Sequence, residues 1–542
     1  MKKAHLASLA SAVLSISALT LASRIVGFAR VWVQNGALGD TLAGSAYSTS
    51  NTVPNVLFEV AAGGALAGAV IPLISGFLAT KMKTELDHTA SALLTWVTAV
   101  GCCVSLIVVA YSHQLALLLI GHGAPSSEID LAASLVSMFA LQIPLYGSSV
   151  VFTGVLQAHG HFMMPALAPI LSSFISIGVF AVFKVLAQGF QNDPAQLSTT
   201  SVAVLGWGTT IGVAVFALSQ AVPASHDVRF RLRFRFPSGV GRRAVKLVGA
   251  GLGGILAQQV QIVTIMVVTN RYGGIGTYPI YTFAAAVYMV PYAVLAVPIS
   301  TAVFPRLASA VALREHQALA DLTARSTRLV AHVGVIAAGV LVSTAIPVAD
   351  IFGVLRPVPG LEHALMTMAL GVAGYGLIYH CSRVLYAWEA SGSVLLLNSF
   401  AWLTVCGVLI AQVALGVSGR IDVLSALGIA TSVGMCLGAW AQIVVIRHLL
   451  GKQATHGILR SLCVMACGVS VITFGAFRLS RALRAMWGHG FLASIGTAGV
   501  SGLLVVACGF VLMRISDPHA LALIVPSMDR CAPHTDRAEN AS

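Results

Sequence analysis

Charge is what this sequence has least of. Asp, Glu, Lys and Arg make up 9% of its 542 residues, where a soluble globular domain carries about a quarter. Apolar residues make up 57% of the chain, and the mean hydropathy is +0.89. A water-soluble fold cannot hide that much apolar surface. Catalytic patterns are missing as well: there is no GxxxxGK[ST] phosphate loop, no HExxH, no GxSxG and no carboxylate pair within an apolar run. Cys102, Cys103, Cys381, Cys406, Cys436, Cys463, Cys467 and Cys508 sit inside apolar segments, with no CxxC pair and no histidine at a zinc-ligand spacing. These absences argue against an enzyme, a metal site or a bound cofactor, and ATP-driven work would need a second chain.

What is there is a succession of apolar stretches, each near the roughly 20 residues that cross a bilayer core. They fall at 6–34, 46–79, 91–112, 131–156, 162–187, 200–223, 245–270, 277–304, 326–347, 363–388, 393–416, 422–446, 458–477 and 489–513. The expected fold is therefore an all-α polytopic membrane protein with about fourteen transmembrane helices. Met1-Lys2-Lys3 and the apolar run to Ser23 resemble a signal peptide locally. The spans that follow make this segment a first transmembrane helix instead.

The net charge of +13 invites a nucleic-acid reading. The cations, however, sit in short loops between apolar runs, as a topology signal does. With a cytoplasmic amino terminus, inside segments hold Lys2, Lys3, Lys81, Lys83, the run Arg229, Arg231, Arg233, Arg235, Arg242 and Arg243, then Arg306, Arg314, Arg325, Arg328, Arg447 and Lys452. The outside segments 35–45 and 113–130 hold no Lys or Arg. Both termini are expected in the cytoplasm of a multi-pass plasma-membrane protein. One loop objects: Arg478, Arg481 and Arg484 fall in an expected outside connection. The run Arg229 to Arg243 alternates Arg with Phe and Leu, and is read as a cytoplasmic segment lying on anionic lipid headgroups.

An internal repeat is visible. Tyr146-Gly147 and Val155-Leu156-x-Ala158 recur as Tyr375-Gly376 and Val384-Leu385-x-Ala387, all at an offset of 229 residues. A weaker echo pairs Val53-Pro54 and Ile71-Pro72 with Val290-Pro291 and Phe304-Pro305. The expected organisation is an amino-terminal six-helix lobe (1–223), a basic cytoplasmic linker (224–244), a second six-helix lobe (245–450), two extra helices (451–513) and a cytoplasmic tail (514–542). Two like lobes around a central cavity are a transporter's architecture.

Charges inside spans are few, and each is costly enough to demand a role. Arg24 and Arg30 lie in the first span, Glu59 in the second, His380 and Arg383 in the tenth, and Arg271 and Glu389 near span ends. Arg24 and Arg30 have two readings. Either the helix ends at Ser23 and both snorkel to an interface, or a break at Gly27 turns them into a water-filled cavity. There their planar forks would hold phosphate oxygens bidentately. Arg383 either joins them or pairs with Glu389. Glu59 is either a buried hydrogen-bonded anchor beside Gly63 and Gly64 or a gating partner for a cavity arginine. Asn55, Arg271 and Glu389 complete the cavity or gating candidates.

Ser23-Arg24-Ile25-Val26-Gly27-Phe28-Ala29-Arg30, Asn51-Thr52-Val53-Pro54-Asn55 and Gly63-Gly64-Ala65-Leu66 resemble the amino-terminal signature of the MurJ/MviN family. The likeness continues through Gln142-Ile143-Pro144, Leu156-Gln157-Ala158-His159 and Pro165-Ala166-Leu167-Ala168-Pro169, over most of residues 6–450. It implies the fold of the multidrug/oligosaccharidyl-lipid/polysaccharide exporter superfamily and an activity: flipping lipid II, the undecaprenyl-diphosphate-linked peptidoglycan precursor, by alternating access. It also implies substrate binding by Arg24 and Arg30 and a lipid groove at the last two helices. Arg383 is expected to join the two arginines because it follows the tenth-span Tyr375-Gly376. Resetting by membrane potential or an ion gradient, and contact with membrane lipids and the peptidoglycan synthesis machinery, are expected with that activity. Relatives carry an acidic residue where this chain has Ser45, and arginines where it has Phe58 and Ala286. The pattern around Phe58-Glu59 looks like the actinobacterial branch. Two other readings stand beside flipping: export of another polyprenyl-linked glycan or small molecule, and a non-transporting scaffold for cell-wall synthesis.

Overall fold

A computed structural model describes residues 19, 22–60, 64–237 and 240–523. The residues expected to open the first span, Gly63, Cys531 and the tail beyond Leu523 lie outside the described residues. The long elements are all helices, and the described residues contain no strand. Eleven helices among them are long and apolar enough to cross a membrane, and they coincide with eleven of the expected spans. The other three, 6–34, 46–79 and 245–270, fall on helices interrupted or flanked by residues outside the description. Many large apolar side chains on these helices face outward, including Leu106, Val185, Leu403, Val471 and Leu492. Such a surface is stable only against lipid. The chain is an all-α, multi-pass membrane protein.

Two compact units divide the chain. Unit 1 comprises residues up to Ala286 together with Leu355–Val358 and Val417–Val423. Its helices are α1 (22–37), α2 (Leu42–Phe58), α3 (Gly64–Ala79), α4 (Lys83–Ala110), α5 (Ser112–Ile120), α6 (Ser126–Phe139), α7 (Gln142–Ala158), α8 (Met163–Leu186), α9 (Thr199–Asp227), α10 (Val240–Val268) and most of α11 (Thr277–Pro291). Tyr47, Phe139, Phe180, Phe183, Leu135 and Leu205 form one of its cores. Tyr47 meets Phe139 and Phe180 edge-on at 5.7 and 5.5 Å.

Unit 2 runs from Val287 to Val354, Pro359 to Gly416 and Leu424 onward. It holds α12 (Val297–Ala312), α13 (His316–Gly353), α14 (Leu361–Ala387), α15 (Ser391–Ala414), α16 (Arg420–Leu450, from Leu424), α17 (Ile458–Trp487), α18 (Phe491–Ser516) and the short α19 (Pro518–Leu521). α13 is the most enclosed. Its Ile336 and Val333 pack with Val469 of α17 and Val505 of α18, so the two extra helices are built into this unit's core.

The repeated motifs land on matching features. Ala158 and Ala387 are the last residues of α7 and α14. Tyr146 tilts onto Phe58 at 4.9 Å, and Tyr375 onto Tyr292 at 4.4 Å. A π-helical turn follows the first proline of each echoed pair, at Glu59–Val60 after Pro54 and at Tyr292–Ala296 after Pro291. Proline frees a carbonyl from the helix ladder, and a wide turn is one way to absorb the slack.

The basic linker is shorter than expected and not helical. Residues 228–237 run extended along α4. The backbone N–H groups of Arg229, Arg231 and Arg233 donate to Asp87 Oδ1, Ser91 Oγ and Thr95 Oγ1 at 3.3, 3.1 and 3.1 Å. Two strand residues advance about 6.6 Å and one helical step of four about 6.0 Å, so every second arginine finds an acceptor. Phe230 packs edge-on against Phe152 at 5.5 Å, and Trp96 Nε1 donates to the Phe234 carbonyl at 2.8 Å.

Candidate functional site

Helix α1 corrects both readings of its arginines. It runs without interruption from residue 22 to 37, through Gly27. It neither ends at Ser23 nor breaks at Gly27, because a glycine with no crowding neighbour leaves the intrahelical ladder intact. Arg24 and Arg30 are both exposed on unit 1 and make no hydrogen bond or ion pair among the described residues. Arg30 lies close enough to Tyr47 and Tyr146 for its charge to act on their hydroxyls. The two arginines are six positions apart on the helix, which puts their side chains about 120° apart around the axis.

Helix α2 starts at Thr41, whose Oγ1 accepts from Gly44 N at 3.1 Å, an N-cap that a Ser/Thr-rich start favours. Asn55 Nδ2 donates to the Asn51 carbonyl at 2.7 Å, so this candidate is engaged within its own helix. Thr52, one turn earlier, shares a 2.8 Å hydrogen bond with the Tyr278 hydroxyl. Glu59 begins the π-turn and is exposed, with no side-chain partner among the described residues. Glu59 is thus not buried as the anchor reading expected, and Gly63, which that reading set beside it, lies outside the described residues.

Two of the departures from the family pattern have structural explanations. Ser45 is buried, and its Oγ accepts from Gly276 N at 2.9 Å. Gly276 has φ +79°, so the turn into α11 needs both a glycine and an acceptor at that point. Phe58 sits against Tyr146 and within an apolar cluster, where it packs as a hydrocarbon and not as a ligand-binding cation. Ala286 is half-buried on α11.

In unit 2, Arg383 is stacked on two rings. Its guanidinium lies 5.4 Å from the centroid of Phe304 and 5.0 Å from that of Tyr379, and Nη2 donates to the Tyr379 hydroxyl at 2.7 Å. Tyr292, Tyr375 and Trp402 continue the aromatic cluster. The expected pair with Glu389 does not form: Glu389 is exposed just past α14 with φ +60°, outside the helical register that would bring it to Arg383. His380 is buried beside Ser326 Oγ at 3.1 Å. Arg271, back in unit 1, donates from Nη2 to the Leu118 carbonyl at 2.9 Å.

Sequence reasoning missed several ionic contacts. Arg420 Nη1 meets Asp40 Oδ2 at 2.8 Å, and its Nη2 donates to the Ile275 carbonyl at 2.6 Å. Arg328 Nε meets Asp517 Oδ2 at 2.6 Å, with Ser461 bridging Asp517 to His332. Arg484 holds Asp350 bidentately at 2.6 and 3.0 Å, which accounts for one of the three cations that objected to the topology. The partners are 134 to 380 residues apart in sequence, and no spacing rule reaches that far. The chemistry left available is that of α1: two guanidiniums with unspent donors on an apolar helix, suited to phosphate oxygens.

A model of the family described as lipid II flippase MurJ matches residues 35–497. The lipid II flippase MurJ of Burkholderia cenocepacia is 26% identical over 401 residues, covering 69% of this chain and 73% of that one. A probable lipid II flippase MurJ of Buchnera aphidicola is 24% identical over 298 residues, covering 54% and 56%. The chain thus spans about half to three quarters of the length of these curated relatives. Among solved structures, a lipid II flippase MurJ in an inward closed conformation superposes with a TM-score of 0.72 at 16% identity over 92% of this chain and 98% of that one. An inward-facing multidrug transporter of the MATE family, MOP superfamily, gives 0.65 at 16% over 80% and 98%. At that identity the likeness speaks for the fold.

Proposed function

The chain belongs to the lipid II flippase MurJ family, and we propose that it carries lipid II from the cytoplasmic to the outer face of the membrane by alternating access. The observation that carries this reading is the family match across residues 35–497. Arg24 and Arg30 lie ahead of the matched residues. Their role rests on the local pattern Ser23–Arg30 and on their unspent donors. They hold the diphosphate of the substrate, each able to make two parallel charge-assisted hydrogen bonds. Arg383 contributes a third cation from the aromatic cluster of unit 2, where it is already oriented by Tyr379.

The two halves related by the repeat act as the moving lobes, and both termini lie in the cytoplasm, as the distribution of Lys and Arg favours. Membrane potential or an ion gradient resets the carrier. The extended linker lies on anionic headgroups: Arg229, Arg231, Arg233 and Arg235 are exposed, as are Leu232 and Phe234 between them. Enzymes of peptidoglycan synthesis are the natural neighbours of such a carrier.

The test is complementation in cells depleted of their own lipid II flippase, reading lipid II at the outer face. The intact chain is expected to restore it, and Arg24→Ala and Arg30→Ala at matched membrane levels are expected to fail. A well-expressed intact chain that does not restore flipping would point to another polyprenyl-linked substrate, for which the apolar Phe58 and uncharged Ser45 leave room, or to a scaffold.

A further inference from the structure

A cavity of about 420 Å³ opens in unit 1 where α5 gives way to α6. Among its lining residues are Ser45, His122, Glu128, Asn270 and Arg271. Glu128 stands on the first turn of α6 and is 3% exposed. Its carboxylate has no hydrogen bond and no ion-pair partner among the described residues. A carboxylate this enclosed, with only a small cavity before it, favours taking up a proton or a cation. Nothing described so far uses it.

The other groups around the cavity extend an oxygen-rich donor set. Asn270 spends its Nδ2 on Thr49 Oγ1 at 3.0 Å and the Leu119 carbonyl at 3.1 Å, which leaves its amide oxygen as an acceptor. Ser45 lines the same cavity, its Oγ held by Gly276 N. Hard oxygen donors with a single carboxylate suit a small monovalent cation. Two basic groups face the same space. His122 is exposed, and Arg271 is exposed with its Nη2 held on the Leu118 carbonyl. α2 contributes no charge and α6 only Glu128. The neighbouring Asp130 is exposed and lies 3.7 Å from His113. Arg271 lines the same cavity with its Nη2 held on the Leu118 carbonyl, and its charge would weaken cation binding and keep it exchangeable.

We propose that this cavity binds a monovalent cation, a proton or a sodium ion, on Glu128, and that this ion resets the carrier. The coupling role rests on the flippase reading; the binding site does not. The experiment uses the purified full chain in lipid nanodiscs. Its unfolding midpoint is measured in sodium, potassium and N-methyl-D-glucamine chloride at constant ionic strength and across pH, alongside Glu128→Gln, Arg271→Gln and the control Asp130→Asn.

Sodium is expected to raise the midpoint saturably, with the response lost in Glu128→Gln and kept in Asp130→Asn. If the proton is the ligand, the same loss appears in the pH dependence and sodium has no selective effect. Arg271→Gln removes the opposing charge and lowers the half-saturating sodium concentration several-fold. Glu128→Gln responding to salt and pH as the intact chain does would overturn the proposal. If Glu128→Gln does not fold, Arg271→Gln decides: tighter cation binding supports the site, whereas a lower midpoint in every salt means that Glu128 pairs with Arg271 instead. Binding is read without transport, so a failed flipping assay and a lost cation response are separate outcomes.

Discussion

Arg24 and Arg30 on α1 reach the surface of unit 1 with no carboxylate paired to them among the described residues, whereas Arg328 on α13 and Arg484 on α17 in unit 2 are each closed onto one, Asp517 and Asp350. A charge at the centre of a membrane-spanning helix costs at least about 2.5 to 3.5 kcal/mol when nothing offsets it. What differs is the supply of partners. Arg328 and Arg484 are offset within unit 2, so these two serve the fold. The α1 arginines keep that cost outstanding, and a ligand is what can offset it. Arg383 falls between the two, satisfied by rings and a hydroxyl but with donors left over.

That contrast can be broken or sharpened by substitution. The largest effect is expected at Arg328→Ala, which strands the nearly buried Asp517 and should lower stability by about 3 kcal/mol; the check is the unfolding midpoint in nanodiscs. Next come Arg24→Ala and Arg30→Ala, with stability unchanged and lipid II flipping reduced about 10- to 100-fold for the loss of charge-assisted hydrogen bonds. A stability loss there comparable to that of Arg328→Ala would erase the distinction between the two regions. Arg484→Ala should cost about 1 kcal/mol because its pair is partly exposed. A double-mutant cycle with Asp350→Ala should return most of that as coupling. The smallest effect is expected for Ser91→Ala with Thr95→Ala, about 0.5 to 1 kcal/mol per lost hydrogen bond. It is read as faster hydrogen exchange at Arg231 and Arg233 with transport intact.

How much of this was legible beforehand varies with the range of the interaction. The spans were readable because bilayer thickness sets a length that a run of apolar residues either meets or does not. The repeat was readable because Tyr146-Gly147 and Tyr375-Gly376 are identical in type. The course of α1 was not, since a single Gly27 permits a break without requiring one. The state of Glu59 depended on a π-turn, which leaves no mark in hydrophobic periodicity. The linker's alternation of Arg with Phe and Leu was visible, yet its docking on Asp87, Ser91 and Thr95 depends on an extended segment and a helix meeting in register.

By itself, then, the sequence determined the solvent this protein lives in, the rough limits of eleven of its spans, and the residues expensive enough to need a purpose. Those are properties of single residues and local windows, and transfer free energy acts on them one at a time. Tertiary structure alone decided which charges are spent. Asp350, Asp517 and Asp40 reach arginines far along the chain, while Arg24, Arg30 and Glu128 reach none among the described residues. Pairing requires two side chains to arrive within about 3 Å of each other, and only packing brings distant residues that close.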